Sequence, residues 1–283
     1  LALLFWCAHS NADPLSFKPV PFIQVEGDRI KIENVYELVS SNKQFGGISG
    51  LKIKKNIPLE YINLLGINFK FSPKFYLLSD QGCIFKTHIE FDQNHQIKVF
   101  NLLKTYPLLS AQNTSLVNDK YDGDAEAIDI KGREVFVAFE RNHRIIKYQL
   151  NNQLKHIAEN KLKDLEFNQG IESLRLVDRN LLFITENSPS KKGYTKGAYY
   201  NDDQLISFHY QLRPHFYPTE LIVIKNKVIV LERRYIKGQG NELRLVYFNI
   251  DKIKPDAMID TKELIHLKPP FPLDNFEAMD YLQ

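Results

Sequence analysis

The fold is decided by Asp124-Ala-Glu126-Ala-Ile128, which is followed by the run Arg133-Glu-Val-Phe-Val-Ala-Phe139 and then by Glu140. Short runs rich in β-branched and aromatic residues, bounded by Gly or Asp, are typical of β-strands. Glu126 and Glu140 lie 14 residues apart, an interval that two strands of about five residues and a tight turn would fill. Because the second strand returns the chain to its starting level, we expect both acids on one face of the fold.

The same pattern of a turn, an acid and a small or apolar pair recurs along the chain. Its copies are Gly170-Ile-Glu172-Ser-Leu174, Pro218-Thr-Glu220-Leu-Ile222 and Asn275-Phe-Glu277-Ala-Met279, with Gly46-Gly-Ile-Ser49-Gly-Leu51 carrying Ser49 in the acidic position. Successive glutamates are 46, 48 and 57 residues apart, and repeats of about 45–50 residues are typical of propeller blades. The sequence therefore predicts an all-β protein, a β-propeller of five or six four-stranded blades whose last blade is incomplete.

A second series of acids ends a strand downstream of these motifs: Asp80, Glu140, Glu186 and Glu232. The offsets from Glu126, Glu172 and Glu220 are 14, 14 and 12 residues. Both series are predicted to share one rim of the central channel. In the fourth motif, Thr219 is the alternative to Glu220 for the inward position.

The N-terminus predicts export. Residues 1–8 form a short apolar run, and Ser10-Asn11-Ala12 places small residues at the −3 and −1 positions of a cut after Ala12. We therefore interpret residues 1–12 as the remnant of a secretory signal and 13–283 as a single domain, located in the periplasm or secreted. A buried N-terminal strand is the alternative.

Composition excludes several partner classes. The net charge is only +3, and no basic run is interleaved with aromatic residues, so no nucleic-acid groove is predicted. The N-terminal apolar run is too short to span a bilayer. No HExxH, CxxC or paired histidine spacing occurs, and no organic cofactor is predicted. The sequence leaves the oligomeric state open.

The motifs together resemble the phytase-like propeller family, whose members are described as "esterase-like activity of phytase". The resemblance rests on the fragments above together with Phe75-Tyr-Leu-Leu-Ser-Asp-Gln-Gly82 and Leu231-Glu-Arg-Arg-Tyr235, in order from about Phe45 to Gln283. It implies a β-propeller and export. The family pattern continues beyond the Asn-Phe-Glu motif, so we expect N-terminal strands near Phe22–Val25 and Ile30–Leu38 to complete the last blade.

The negative charge of a ring of carboxylates must be compensated, because carboxylates a few ångströms apart do not all stay ionised without a nearby positive charge. Calcium or another divalent cation suits carboxylate oxygens, with Asn142 or Asn187 adding an amide oxygen. The predicted metal ligands are Asp80, Glu126, Glu140, Glu172, Glu186, Glu232 and Glu277. Glu126 and Glu172 are the predicted catalytic carboxylates, and a small anionic or ester substrate would be bound by Arg141, Arg233, Arg234 and Lys196, the last on a long loop predicted over residues 191–200.

Three functions stay open at this point. The first is a metal-dependent hydrolase of phosphate or carboxylic esters, and the second is a non-catalytic exported propeller that binds a ligand or protein on the same face. The third is a family member that has kept the fold and lost activity. The acids also have a purely structural interpretation, in which they accept hydrogen bonds from neighbouring blades or pair with Arg. Ser49 is interpreted as a turn hydroxyl.

Overall fold

Four antiparallel sheets follow one another along the chain and form the blades of a propeller. The computed structural model describes residues 2–5, 7–9, 16–24, 26–27, 30–54, 63–64, 67–68, 73–161, 170–201 and 204–282. Among these residues the only helix recorded is the short 3-10 turn Ile250–Lys252, and no helix is long and apolar enough to cross a membrane.

Each blade begins with an inner strand and continues outward by hairpins. Blade 1 consists of Ile48–Lys54, Lys74–Ser79, Cys83–Phe91 and Ile97–Pro107, and blade 2 of Ala125–Lys131, Glu134–Phe139, Arg144–Leu150 and Leu154–Lys161. Blade 3 consists of Ile171–Val177, Asn180–Lys191, Tyr194–Asn201 and Gln204–Gln211, with Met258–Ile259 added in parallel at its outer edge. Blade 4 consists of Tyr217–Ile224, Lys227–Ile236, Gly240–Asn249 and Lys262–Leu267.

The remaining strands are short and pair outside the four blades. Ala278–Tyr281, here called the closing strand, contacts the inner strands of both blades and pairs antiparallel with Ala2–Phe5. Tyr36–Ser40 pairs with Ser16–Pro19 and, in parallel, with Cys7–His9. Short pairs also join Glu26–Gly27 to Ile30–Lys31 and Asn63–Leu64 to Ile67–Asn68.

The predicted five or six blades are not confirmed, because the part of the chain that the structure describes contains four. N-terminal residues do pack beside the closing strand, where Val35, Phe22 and Ile30 join a core cluster that contains Met279. Ala2–Phe5 takes part in the pairing just described, and the predicted cleavage site after Ala12 lies outside the described residues. Export therefore stays a prediction.

The blades are held together by apolar side chains packed face to face. Tyr76 and Leu78 of blade 1 share a buried cluster with Ile128 and Val135 of blade 2, and Leu182 of blade 3 shares another with blade 4. Burying one such side chain contributes roughly 1.5–3 kcal/mol. This packing fixes the inner strands, and with them the residues that face the channel.

One local prediction is wrong. Residues 191–200 were expected to form a long loop, yet Asn180–Lys191 and Tyr194–Asn201 form a hairpin that turns at Lys192 and Gly193. Gly193 has a φ of +80°, which a glycine adopts without steric cost and which a tight turn uses. The Lys and Tyr residues of this stretch thus extend blade 3.

Candidate functional site

The start of each inner strand carries a β-bulge, and in blades 1 to 3 the bulged residue is the one that the repeat predicted for the rim. In the pairing registers Ser49, Glu126, Glu172 and Thr219 are each skipped, so that none has a partner on the adjacent strand. A bulge frees one residue from the ladder and re-aims its side chain. Glu126 and Glu172 are directed in this way toward the mouth of the channel.

The second series of acids is positioned by a repeated backbone hydrogen bond. The amide of Asp80 donates to Gly47 O at 3.0 Å, that of Glu140 to Asp124 O at 2.8 Å, and that of Glu186 to Gly170 O at 2.9 Å. Asp80 and Glu140 directly follow the second strand of their blades, whereas Glu186 lies within Asn180–Lys191. Each of the three acids sits beside the residue that precedes the inner strand. The prediction that neighbouring strands return both series to one rim is confirmed for these three acids.

Together these residues form what we call the rim cluster, which consists of Asp80, Asp124, Glu126, Glu140, Glu172, Glu186, Glu277, Arg141 and Arg233. Oxygens of Asp124, Glu126 and Glu140 lie within 4.8 Å of one another, and so do oxygens of Glu140, Glu172 and Glu186. Glu140 belongs to both groups and links them. All of these ligand atoms are carboxylate oxygens, the donor set that calcium and magnesium prefer.

Burial and like charge raise the pKa of the central acids. The pKa of Glu126 is raised well above its usual value by burial and then by Glu172 and Glu277. The pKa of Glu172 is raised in the same way by burial, Glu186 and Glu140. Burial also raises the pKa of Glu140 to about 7, against a hydrogen bond from the Gly170 amide that lowers it.

Two arginines offset part of this charge. Arg141 Nε lies 2.9 Å from Asp124 Oδ2, and Arg233 Nη1 lies 3.0 Å from Glu277 Oε1. Arg141 has a φ of +58°, a conformation that is uncommon outside glycine and is often found at functional sites. Seven carboxyl groups therefore share two guanidinium groups in this cluster.

Blade 4 differs from the other blades because its register is shifted by one residue relative to the predicted frame. Thr219, and not Glu220, occupies the bulge, so the residue 14 positions later is Arg233. Arg233 therefore stands where blades 2 and 3 place Glu140 and Glu186. In blades 2, 3 and 4 the residue at the bulge and the second rim residue are always 14 positions apart. This constant spacing is the sequence signal that identifies Arg233.

The same shift removes two predicted residues from the rim. The side chain of Glu232 lies between blades 3 and 4. Its carboxylate accepts hydrogen bonds from Tyr210 Oη of blade 3 at 2.7 Å and from Arg244 Nη1 of blade 4 at 2.9 Å. Arg234 contacts Glu242 and lies over the Phe216 ring, 4.8 Å from its centroid. The structure therefore does not bring Glu232 or Arg234 to the rim cluster.

Three further predicted residues make contacts outside the two carboxylate groups. Lys196 is half-buried in the third strand of blade 3, and its carbonyl accepts the Thr185 hydroxyl at 3.0 Å. Asn142 donates to Asp122 Oδ1 at 2.6 Å. Ser49 lies in a strand, not in a turn, and donates to Ala125 O of blade 2 at 2.5 Å, so that its hydroxyl joins two blades.

His143 is a neighbour of the cluster that sequence spacing did not identify. A Cβ atom placed on Gly170 would approach His143 Nδ1 to 2.8 Å and Glu140 Cγ to 3.2 Å. The imidazole thus packs directly over Gly170 and beside Glu140. The absence of a side chain at position 170 allows this contact.

Gly170→Ala is predicted to disturb the cluster without disturbing the core. The added methyl group would push His143 and Glu140 apart, and displacing groups that orient a metal ligand typically weakens metal affinity by about tenfold or more. Calcium titration by calorimetry would measure the change. Gly132→Ala controls for general destabilisation, because its φ of +60° strains an alanine while nothing lies within 4 Å of the added Cβ. Equal calcium affinity in both variants would contradict the prediction.

Below the rim, a second charged layer crosses the channel, here called the central plug. It takes one residue from each blade and one from the closing strand, namely Lys52, Asp129, Arg175, Glu220 and Asp280. Arg175 donates to Ile128 O at 2.7 Å, Leu51 O at 3.1 Å and Met279 O at 2.6 Å. It therefore bonds to blades 1 and 2 and to the closing strand from its own place in blade 3.

The acids of the plug complete the connections. Arg175 Nη2 lies 3.2 Å from Glu220 Oε2, Lys52 Nζ lies 2.7 Å from Asp129 Oδ1, and the Ile53 amide donates to Asp280 Oδ2 at 2.7 Å. Burial raises the pKa of Glu220 to about 8, with Arg175 opposing the change. Glu220 thus belongs to a structural layer, which corrects its predicted place at the rim.

Comparison with solved structures gives distant matches. The chain matches a structure of a nidogen/laminin complex (9% identity, TM-score 0.37, covering 73% of this chain and 63% of that one). It also matches the WD40 domain of SCAP from fission yeast (12%, 0.36, 97% and 67%) and a Trp149Ala mutant of Synechocystis apocarotenoid oxygenase (9%, 0.29, 83% and 64%). The chain therefore spans less than two thirds of the length of the nidogen/laminin chain. No curated protein matches this sequence.

Comparison with protein families gives a match over most of the chain. The phytase-like family model, described as "Esterase-like activity of phytase", covers residues 43–283. That range contains all four blades, the closing strand and every residue of the rim cluster and the central plug. The motifs that suggested this resemblance are thus matched in one continuous alignment, and the chain belongs to the phytase-like family.

Proposed function

We propose that this protein is a metal-dependent hydrolase of phosphate or carboxylic esters that acts at the rim cluster. The observation that carries the proposal is the convergence of seven carboxyl groups with two guanidinium groups at one mouth of the channel. Perturbed acids gathered in a recess are typical of catalytic sites. Membership of the phytase-like family supports the same reaction class.

The residues fit a hard divalent cation, with calcium as the first candidate. Asp124, Glu126 and Glu140 would hold one ion, or Glu140, Glu172 and Glu186, because each group brings its oxygens within 4.8 Å. A cation bound there would polarise the phosphorus–oxygen or carbonyl bond and lower the pKa of a bound water molecule.

The chain's own residues supply binding and proton transfer. Arg233 and Arg141 lie at the cluster and would bind the oxygens of an anionic substrate, since a guanidinium group binds such oxygens in a bidentate manner. Glu126 and Glu172 have raised pKa values. A carboxyl group with a raised pKa retains its proton near neutral pH, so whichever of the two is not a metal ligand would protonate the leaving group.

A non-catalytic binding function is the second candidate, and the ion pairs favour it. Arg141 and Arg233 already contact Asp124 and Glu277, as they would in a site that only holds a cation and a ligand. Turnover distinguishes the two functions. Calcium binding without hydrolysis of any tested ester would support the binding function.

The hydrolase proposal is tested by assays on para-nitrophenyl phosphate, an acyl ester and phytate, with and without chelator. We expect calcium-dependent activity that falls roughly 10²- to 10⁴-fold in Glu172→Gln or Glu126→Gln, because one substitution removes the proton donor and the other removes a metal ligand. Glu134→Gln is the matched control, since Glu134 is partly exposed and pairs with Lys147 on the surface. Activity that survives both rim substitutions and the chelator would exclude the rim cluster as the catalytic centre.

We further propose that the ring has five sectors and that the protein is exported. The closing strand contacts the inner strands of blades 1 and 4 and contributes Asp280 to the central plug, which supports a fifth sector. The apolar run before Ser10-Asn11-Ala12 supports export to the periplasm or the exterior. N-terminal sequencing of the mature protein checks for cleavage after Ala12.

A further inference from the structure

Four lysines lie on one face of blade 1, the face that packs against blade 2. Lys54 is directly opposite Lys74 on the adjacent strand, and Lys86 is directly opposite Lys104. Tyr76 is the cross-strand partner of Lys86 and belongs to the core shared with blade 2. Since residues two apart along a strand share a face, both lysine pairs face the seam between the two blades.

Blade 2 adds a fifth cation and several contacts across this seam. Lys54 Nζ donates to Gly132 O, and Lys104 Nζ donates to Asn152 O, so both lysines reach the turns of blade 2. Arg133 follows Gly132 in the same turn. The pKa of Lys54 is lowered by burial and then by Lys86 and Arg133, which is consistent with three like charges close together.

The positive charges of the four lysines and Arg133 are not balanced by ion pairs with carboxylates in the part of the chain that the structure describes. Asp129 is engaged by Lys52, and Glu90 by His88. Within the ranges that the structure describes, no ion pair joins a carboxylate to Lys54, Lys74, Lys86, Lys104 or Arg133. Like charges directly opposite each other on paired strands are destabilising, so this arrangement carries a cost that a bound anion would remove.

We propose that these five residues, which we call the basic seam, bind a small anion with several charged oxygens, of the diphosphate class. Lysines act as point charges toward phosphate, and arginine binds its oxygens in a bidentate manner. Each lysine pair joins neighbouring strands, which lie about 4.8 Å apart, so an anion with several charged oxygens can contact cations of more than one strand. Lys54 and Lys74 lie at the ends of their strands remote from Ser49 and Ser79, so the seam is separate from the rim cluster.

Pyrophosphate is the probe that tests this site. Chelator-treated protein is titrated by calorimetry and by thermal unfolding, at constant ionic strength. We expect saturable binding and a rise in the unfolding temperature beyond that given by sodium chloride. Lys86→Gln/Lys104→Gln should weaken pyrophosphate binding by at least tenfold. Without anion and at low salt, the same variant should unfold at a higher temperature than wild type, because an opposed pair of like charges is removed.

Two controls keep the outcome unambiguous. Lys254→Gln removes a charge from an exposed stretch between the third and fourth strands of blade 4 and should leave pyrophosphate binding unchanged. Arg233→Gln removes a cation of the proposed substrate site and therefore reports any pyrophosphate that binds at the rim cluster instead of the basic seam. Binding lost in Arg233→Gln but kept in the lysine variant would overturn the proposal, as would a response to pyrophosphate no larger than that to sodium chloride.

Discussion

Arg175→Met is expected to lower the unfolding temperature by about 10 °C or more. The substitution removes donors from the carbonyl groups of Ile128, Leu51 and Met279 and leaves the Glu220 carboxyl group without its cation. A hydrogen bond from a charged donor contributes about 1.5–3 kcal/mol, and Arg175→Met removes three of them. For a domain of this size each kcal/mol corresponds to roughly 2–4 °C. Thermal unfolding followed by circular dichroism measures the shift.

Arg179→Met is the control for this loss. Arg179 is exposed at the turn that ends the same inner strand, so its replacement should change the unfolding temperature little. Arg175→Met/Glu220→Leu should recover part of the loss, because the double variant no longer leaves a buried carboxyl group unpaired. If Arg175→Met unfolds at the same temperature as Arg179→Met, the central plug does not stabilise the ring.

Without divalent cations, the protein is expected to become less stable as the pH rises from about 4.5 to about 7. Glu140 has a pKa of about 7 in the folded state against an ordinary value of 4.5. Between these values the folded state binds more protons than the unfolded state, so the free energy of unfolding falls as pH rises. The raised pKa values of Glu126 and Glu172 act in the same direction. Denaturant titrations at a series of pH values measure this slope.

Calcium is expected to reverse the loss near pH 7.5. At a free concentration about a thousandfold above its Kd, a ligand stabilises the folded state by about 4 kcal/mol, which corresponds to roughly 10 °C here. Glu140→Gln should flatten the slope of the cation-free protein and sharply reduce the calcium response, because Glu140 belongs to both ligand groups. A calcium response of unchanged size in Glu140→Gln would show that the ion binds elsewhere.

The rim was predictable because its signal is local and repeated. The spacing of 14 residues from Glu126 to Glu140 and from Glu172 to Glu186 reflects one hairpin, and hairpin geometry follows from short-range sequence. In blade 4 the most visible acids, Glu220 and Glu232, are 12 residues apart. In blade 4 the spacing of 14 residues identifies the rim positions correctly, as Thr219 and Arg233. The acidic residue type, which points to Glu220 and Glu232, does not.

The central plug and the basic seam were not predictable in this way. Arg175 bonds to groups that are 47, 124 and 104 residues away along the chain, and no local pattern encodes such partners. Lys54 likewise lies opposite Lys74, and Lys86 opposite Lys104, only because blade 1 aligns its strands in a particular register. The hairpin over residues 180–201 was missed because its Lys and Tyr content was attributed to a loop, although Tyr residues also favour strands.

The bulged residues at the rim give the fold a modular character. Because Ser49, Glu126, Glu172 and Thr219 have no partner in the strand ladder, their identity is not constrained by β-pairing. Hydroxyl and carboxyl groups occupy the same position in different blades with the same backbone beneath them. The propeller can therefore exchange chemical groups at its mouth one blade at a time, while the hydrogen-bonded scaffold that carries them stays as it is.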